Sequence, residues 1–99
     1  MLVHSVYFTM KPGLSDGDRA DFREALKGLG KIETIKHIWT GTPAATDDRP
    51  VIDKDYDFAL HVLFDSLDAH NIYQDHEIHQ NFIQENSSKW ERVRVFDSE

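Results

Sequence analysis

Cysteine is absent from this 99-residue chain. Its absence excludes disulfides, thiolate catalysis and cysteine-based zinc sites, and makes a reducing cytoplasm the expected location. Basic charge is sparse and unclustered: eleven Lys and Arg are scattered among eighteen Asp and Glu, for a formal net charge of −7. Proteins that grip phosphate backbones carry a basic face that releases counterions, so neither nucleic acid nor an anionic membrane surface is an expected partner. The apolar opening MLVHSVYFTM is halted by Lys11-Pro12-Gly13, too soon to span a bilayer. It lacks a basic leader and a cleavage-site pattern, and reads as a strand. One domain over residues 1–99 is expected, because a chain of this length can bury roughly two thirds of its unfolded surface in a single core.

What is present is alternation. Residues 2–10 place Leu2, His4, Val6, Phe8 and Met10 on one side and Val3, Ser5, Tyr7 and Thr9 on the other, a strand with period two. After Pro12-Gly13, Ser15 predicts a helix N-cap, with Asp16 and Asp18 in a first turn whose dipole favours carboxylates. Phe22, Ala25, Leu26 and Leu29 follow at helical spacing, and Gly28 and Gly30 mark the exit. Ile35–Thr42 reads as a second strand. Residues 43–55 are polar and acidic and hold two prolines, a long loop expected to be solvated rather than a lid over a site. Tyr56–Phe64 is the clearest strand, with Tyr56, Phe58, Leu60, Val62 and Phe64 on one face and Asp57, Ala59, His61 and Leu63 on the other.

Asp65 or Ser66 caps a second helix whose inner stripe is Leu67, Ala69, Ile72, Tyr73 and His76, continuing through His79, Phe82 and Ile83 to a break at Ser87-Ser88. Trp90–Phe96 alternates again as the last strand. The order β-α-β-β-α-β predicts an α+β, ferredoxin-like domain: one sheet with two helices on a single face. The other face also offers apolar residues, Ala59 and Leu63 with one side of residues 2–10. An exposed apolar face marks an interface, so a homodimer through the open sheet face is expected. Trp39 and Trp90 are expected in the core or at the dimer edge.

The chemistry concentrates in Tyr73-Gln-Asp-His76-Glu-Ile-His79, two imidazoles and a phenol within one short segment. Imidazole changes charge near neutral pH, and a phenol can hold a carbonyl oxygen by hydrogen bonding. At about 100° per residue, positions 73, 76 and 79 spread over roughly 120° of a helix and can border one cleft. His4 and His61 lie on strands and can face the same lumen, whose volume depends on Phe8, Phe64, Phe82 and Trp39. His37 and His70 show no partner pattern and read as surface groups. A second reading is a metal at His76 and His79, completed by Asp75, Glu77 or a strand histidine. His-Glu-Ile-His is one residue shorter than the zinc-protease spacing that puts both rings on one helical face, so no metal is expected.

The early strand with His4, Tyr56-Asp57 and Phe64-Asp65-Ser66 at the ends of the third strand, Tyr73-x-x-His76-x-x-His79 and the closing Val95-Phe96-Asp97 together resemble the stress-responsive A/B-barrel (Dabb) domains, within the dimeric α+β barrels. The resemblance covers nearly the whole chain. Family members often read Tyr-x-x-His-Pro-x-His, and here Glu77 stands at the proline position. The resemblance implies a dimeric barrel without metal or cofactor. Most bacterial members have no assigned activity, and some plant members cyclise linear polyketides by intramolecular aldol condensation. By that analogy His79 is the general base that removes a proton alpha to a carbonyl, and Tyr73 holds the oxygen as it becomes an enolate. His4 and His76 would line the same cavity or orient the pair. Apart from the resemblance, His61 and Phe8 are expected from their strand positions to border the substrate.

Two function classes follow. One is a cofactor-free cyclase or lyase acting on a small carbonyl, polyketide-like compound. The other is a non-catalytic stress-response or binding protein that holds an apolar ligand.

Overall fold

A computed structural model describes residues 1–99. It contains β1 (Leu2–Met10), α1 (Asp16–Gly28), β2 (His37–Gly41), β3 (Phe58–Phe64), α2 (Leu67–Asp75), α3 (Glu77–Asn86) and β4 (Trp90–Ser98). The four strands form one antiparallel sheet in the order β2-β3-β1-β4. This is the ferredoxin-like α+β arrangement, with three α-helices where the sequence pattern predicts two. No helix is long and apolar enough to cross a membrane.

Local chemistry sets most element ends. Gly13 has a positive φ of 87°, which the turn after Pro12 requires and which glycine adopts without a Cβ clash. Ser15 Oγ accepts from the Asp18 amide and Ser66 Oγ from the Ala69 amide, so each serine caps its helix as expected. α1 leaves through a tight turn at Leu29–Lys31 rather than through a left-handed glycine. β3 begins at Phe58, two residues later than its alternation suggests. Asp57 instead serves as a tether: its carboxylate accepts from the Met10 amide at 2.7 Å and from Arg19 Nη1 at 3.3 Å. Loop 43–55 is held against the open face of the sheet by Arg94, which reaches Asp53 Oδ2 at 3.2 Å and the Asp55 carbonyl at 3.1 Å.

The expected single helix over 67–83 is broken. His76 has an extended backbone (φ −64°, ψ 142°), and its ring Nδ1 accepts from the Ile78 amide at 3.0 Å. The imidazole therefore acts as the N-cap of α3, and Glu77 is the first residue of that helix, with its carboxylate in the first turn. The buried face of α2 also differs from the expected stripe. Leu67 and Ile72 are exposed, whereas Tyr73 is buried and His70 turns inward against Phe64, their ring centroids 5.5 Å apart.

The helices cover the sheet face carrying Leu2, His4, Val6, Phe8 and Met10, all buried. Phe8, Phe22, Phe58, Phe82 and Trp90 form the aromatic heart of the core, with Phe8–Phe22 and Phe22–Phe58 centroids at 5.2 and 5.3 Å. Burying each such ring contributes about 1.5–3 kcal/mol. On the opposite face the register aligns Ser5 with His61 and Phe96, and His61 with Trp39. Trp39 is 54% and Phe96 58% exposed there. Trp90 thus joins the core while Trp39 lies on the open face.

Candidate functional site

β1 is paired on both edges, by β3 over Leu2–Phe8 and by β4 over Val3–Met10, and its inward parity delivers His4 and Phe8 beneath the helices. α2 lays Tyr73 across them, and the break at His76 lets α3 start in a new direction that turns His79 back inward. The three polar-tipped residues are almost fully enclosed: Tyr73 is 1%, His4 6% and His79 9% exposed. Ring centroids stand 4.8 Å apart for Tyr73–His79 and 5.8 Å for His4–Tyr73.

These residues line a cavity of about 110 Å³, whose other walls include Phe8, Leu60, Phe82, Trp90 and Val95. Ten of its thirteen lining residues are apolar, so the polar groups that can orient a ligand are few. An open depression of about 440 Å³ lies outside it and shares Gln74, His79 and Ile83 with it, forming a vestibule. A separate depression of about 340 Å³ on the open sheet face, lined by Ser5, Tyr7, Asp53, Tyr56, Arg94 and Phe96, contains none of this machinery.

Enclosure sets the protonation states. Burial holds the His79 imidazole below its usual range, reinforced by nearby His4, while the Gln74 backbone pulls the other way and His70 adds a further small downward push. Burial likewise lowers His4, with the Asp97 carboxylate opposing it. Burial pushes the Tyr73 phenol well above its usual range. At neutral pH the site therefore presents imidazole rings that can accept a proton beside a phenol that keeps its own.

Two of the six residues expected at the cavity lie elsewhere. His61 faces the open side of the sheet, its Nδ1 3.0 Å from Ser5 Oγ and its ring edge-on to Tyr7. Its strand parity is opposite to that of Phe58 and Leu60, so it cannot share their face. His76 is engaged as the α3 cap, with Nε2 3.9 Å from Glu33 Oε2, and does not line the cavity. The break also separates the two rings of the metal reading, since His79 turns into the cavity and His76 toward Glu33.

Two residues were missed by the sequence reading. Asp97 Oδ1 lies 2.5 Å from His4 Nδ1, because β4 runs on to Ser98 and pairs Asp97 directly with His4. The signal was the continuing parity of Val93, Val95 and Asp97. His70 stands edge-on to His4 with centroids 5.1 Å apart. Its spacing of three from Tyr73 was the clue, hidden by a stripe drawn one residue out of phase. Among imidazoles and carboxylates, His4, His70 and Asp97 are the group whose donor atoms come within 4.8 Å of one another.

Several solved structures share this fold. A Dabb family protein with a ferredoxin-like fold from Mesorhizobium loti is 25% identical, with a TM-score of 0.82 over 99% of this chain and 94% of the other. A hydroxynitrile lyase from Passiflora edulis is 20% identical, with a TM-score of 0.81 over 98% of this chain and 90% of the other. A dimeric ferredoxin-like protein of unknown function from Bacteroides fragilis is 24% identical, with a TM-score of 0.76 over 99% and 94%. No curated protein matches the chain in sequence. The family model for the stress responsive A/B barrel domain matches residues 2–99. With nearly every residue inside that match, the chain belongs to the stress-responsive A/B barrel (Dabb) domain family.

Proposed function

We propose that this protein is a homodimeric, cytoplasmic, cofactor-free acid/base catalyst acting on a small carbonyl compound. His79 is the base that takes a proton alpha to the carbonyl. Tyr73 donates its hydroxyl hydrogen to the carbonyl oxygen as that oxygen gains enolate charge, and Asp97 orients His4 at the same wall. One observation carries the reading: an imidazole and a phenol, rings 4.8 Å apart, share one apolar cavity. In such a medium a single hydrogen bond to a developing oxyanion is worth far more than in water.

Size bounds the substrate. A dry cavity of about 150 Å³ takes a benzene-sized guest. The 110 Å³ here suits a reacting end of that order or smaller, with any longer polyketide-like tail in the vestibule beyond His79. The same pair also suits cyanohydrin cleavage, in which the base takes the hydroxyl proton, the carbonyl forms and cyanide leaves. The likeness to a hydroxynitrile lyase makes that the second probe to try.

The test is exchange of the α-protons of a small 1,3-diketone for solvent deuterium, followed by NMR. His79→Ala should slow exchange by roughly 10²–10⁴-fold, the usual worth of a positioned base. Tyr73→Phe should cost roughly 10²–10³-fold, as for loss of one oxyanion donor. Exchange that survives both changes in a folded dimer removes this mechanism. The apolar lining favours a second reading, retention of an apolar metabolite without turnover. Native mass spectrometry of protein purified without a tag would then reveal a small organic adduct whose retention follows the cavity residues.

A further inference from the structure

The geometry points to a divalent-cation site built from His4, His70 and Asp97, where β1, α2 and the end of β4 meet. This goes beyond the acid/base reading: it shares His4 and Asp97 with that reading, but neither His79 nor Tyr73 is a ligand, and binding can be measured without turnover.

Three features support it. First, the donor set is chemically apt: two imidazoles and one carboxylate suit zinc, cobalt or nickel, while magnesium and calcium prefer oxygen alone. Second, the rings are held in place before any ion arrives. His4 is buried between the rings of Phe64 and Tyr73, and His70 stands edge-on to both His4 and Phe64. Third, the outer contacts favour ligation. His70 Nδ1 lies 3.0 Å from Asn71 Oδ1, and an amide oxygen can only accept. The proton therefore sits on Nδ1, and the Nε2 lone pair of His70 is left for an ion, the outer-shell arrangement typical of metal-bound histidine.

Ligands at about 2.1 Å from a tetrahedral ion stand roughly 3.4 Å apart. The ligand atoms of the three residues lie within 4.8 Å of one another, and His4 Nδ1 and Asp97 Oδ1 stand 2.5 Å apart. Small side-chain adjustments of about 1 Å bring them onto one sphere. Asp97 can make the larger one: its side chain is 43% exposed near the end of β4, which also gives the ion its route from solvent. Binding would displace to solvent the proton that His4 Nδ1 now shares with Asp97. It would also tie the last strand to α2, which the hydrogen bonds of the chain do not do directly.

The experiment is titration of the chelator-treated full chain, with Zn²⁺ by calorimetry and with Co²⁺ by visible absorption. One ion per chain is expected, with ligand-field bands of low symmetry and a raised melting temperature. His70→Ala should weaken binding by about 100-fold, and Asn71→Ala, an exposed outer-shell change, by about 10-fold. His76→Ala should leave the affinity and stoichiometry of uptake unchanged. Loss of uptake with His70→Ala in a folded dimer supports the site. Should that variant fail to fold, Asn71→Ala decides in its place. No stoichiometric uptake, uptake indifferent to both changes, or uptake lost with His76→Ala overturns it.

Discussion

At the scale of the residue, the governing quantity is the cost of charging a buried imidazole. An unperturbed histidine titrates near 6.5, and burial holds His4 and His79 below that value. Between the folded and unfolded values the unfolded chain binds more protons, so stability rises with pH across that window. The contribution is therefore fully present above about pH 6.5 and is lost as pH falls through the folded values. Urea midpoints measured from pH 5 to 8 should drop on the acid side, and His79→Gln should flatten that drop. A midpoint that climbs toward acid would contradict the desolvation argument. If His79 is the base proposed above, the same depression keeps it unprotonated under mildly acidic conditions. The pH profile of α-proton exchange should accordingly show its acid limb below 6.5 rather than above it.

At the scale of the element, the break between α2 and α3 does the most for the site. A continuous helix would set His76 and His79 on neighbouring flanks. The extended backbone at His76 instead turns the first ring into a cap and sends the second inward. Glu77 stands at the first helical position, where proline is favoured because the amide there has no intrahelical partner. His76 already has the extended conformation that a residue before proline requires. Glu77→Pro should accordingly be stabilising or neutral, within about 1 kcal/mol by chemical denaturation, and should leave the site intact. A loss beyond about 2 kcal/mol would mean that the Glu77 carboxylate, not the His76 cap, holds the break. Removing the cap with His76→Ala should cost on the order of 1 kcal/mol. Sequence periodicity could not locate this break, since the apolar spacing continues smoothly through Phe82 and Ile83. What starts α3 anew is a side-chain hydrogen bond to a local amide, and such a bond leaves no trace in an apolar pattern.

At the scale of the whole molecule, the sheet has one face beneath the helices and one without cover. Val3, Trp39 and Phe96 are exposed on the uncovered face, and related ferredoxin-like proteins are dimeric. A second copy placed there would bury these side chains and complete a barrel. Phe96→Asp should then shift the protein toward monomer in sedimentation at micromolar concentration, since it places a carboxylate in the centre of an apolar contact. An unchanged dimer would move the interface elsewhere. Phe96 contacts Tyr7 but lines no part of the cavity of His4, Tyr73 and His79, so the variant separates assembly from any effect on that cavity.

Strand alternation, serine caps and the Pro12-Gly13 turn are properties of neighbouring residues, and the chain order was legible from them alone. So was the inward placement of His4 and Phe8, because they share parity with Leu2, Val6 and Met10. His61 shows where local pattern stops. Its parity placed it opposite Phe58 and Leu60, but both faces of β3 offered apolar residues, so nothing local named the covered one. The rotation of α2, which brings in His70 and leaves Leu67 outside, depends on how the helix seats on the sheet. The meeting of His4 with Asp97 depends on a strand pairing across more than ninety residues. Sequence alone determined the elements and their order, because short-range sterics and hydrogen bonds decide those. Tertiary structure decided which imidazoles share the cavity, because long-range register and helix rotation are settled only by packing.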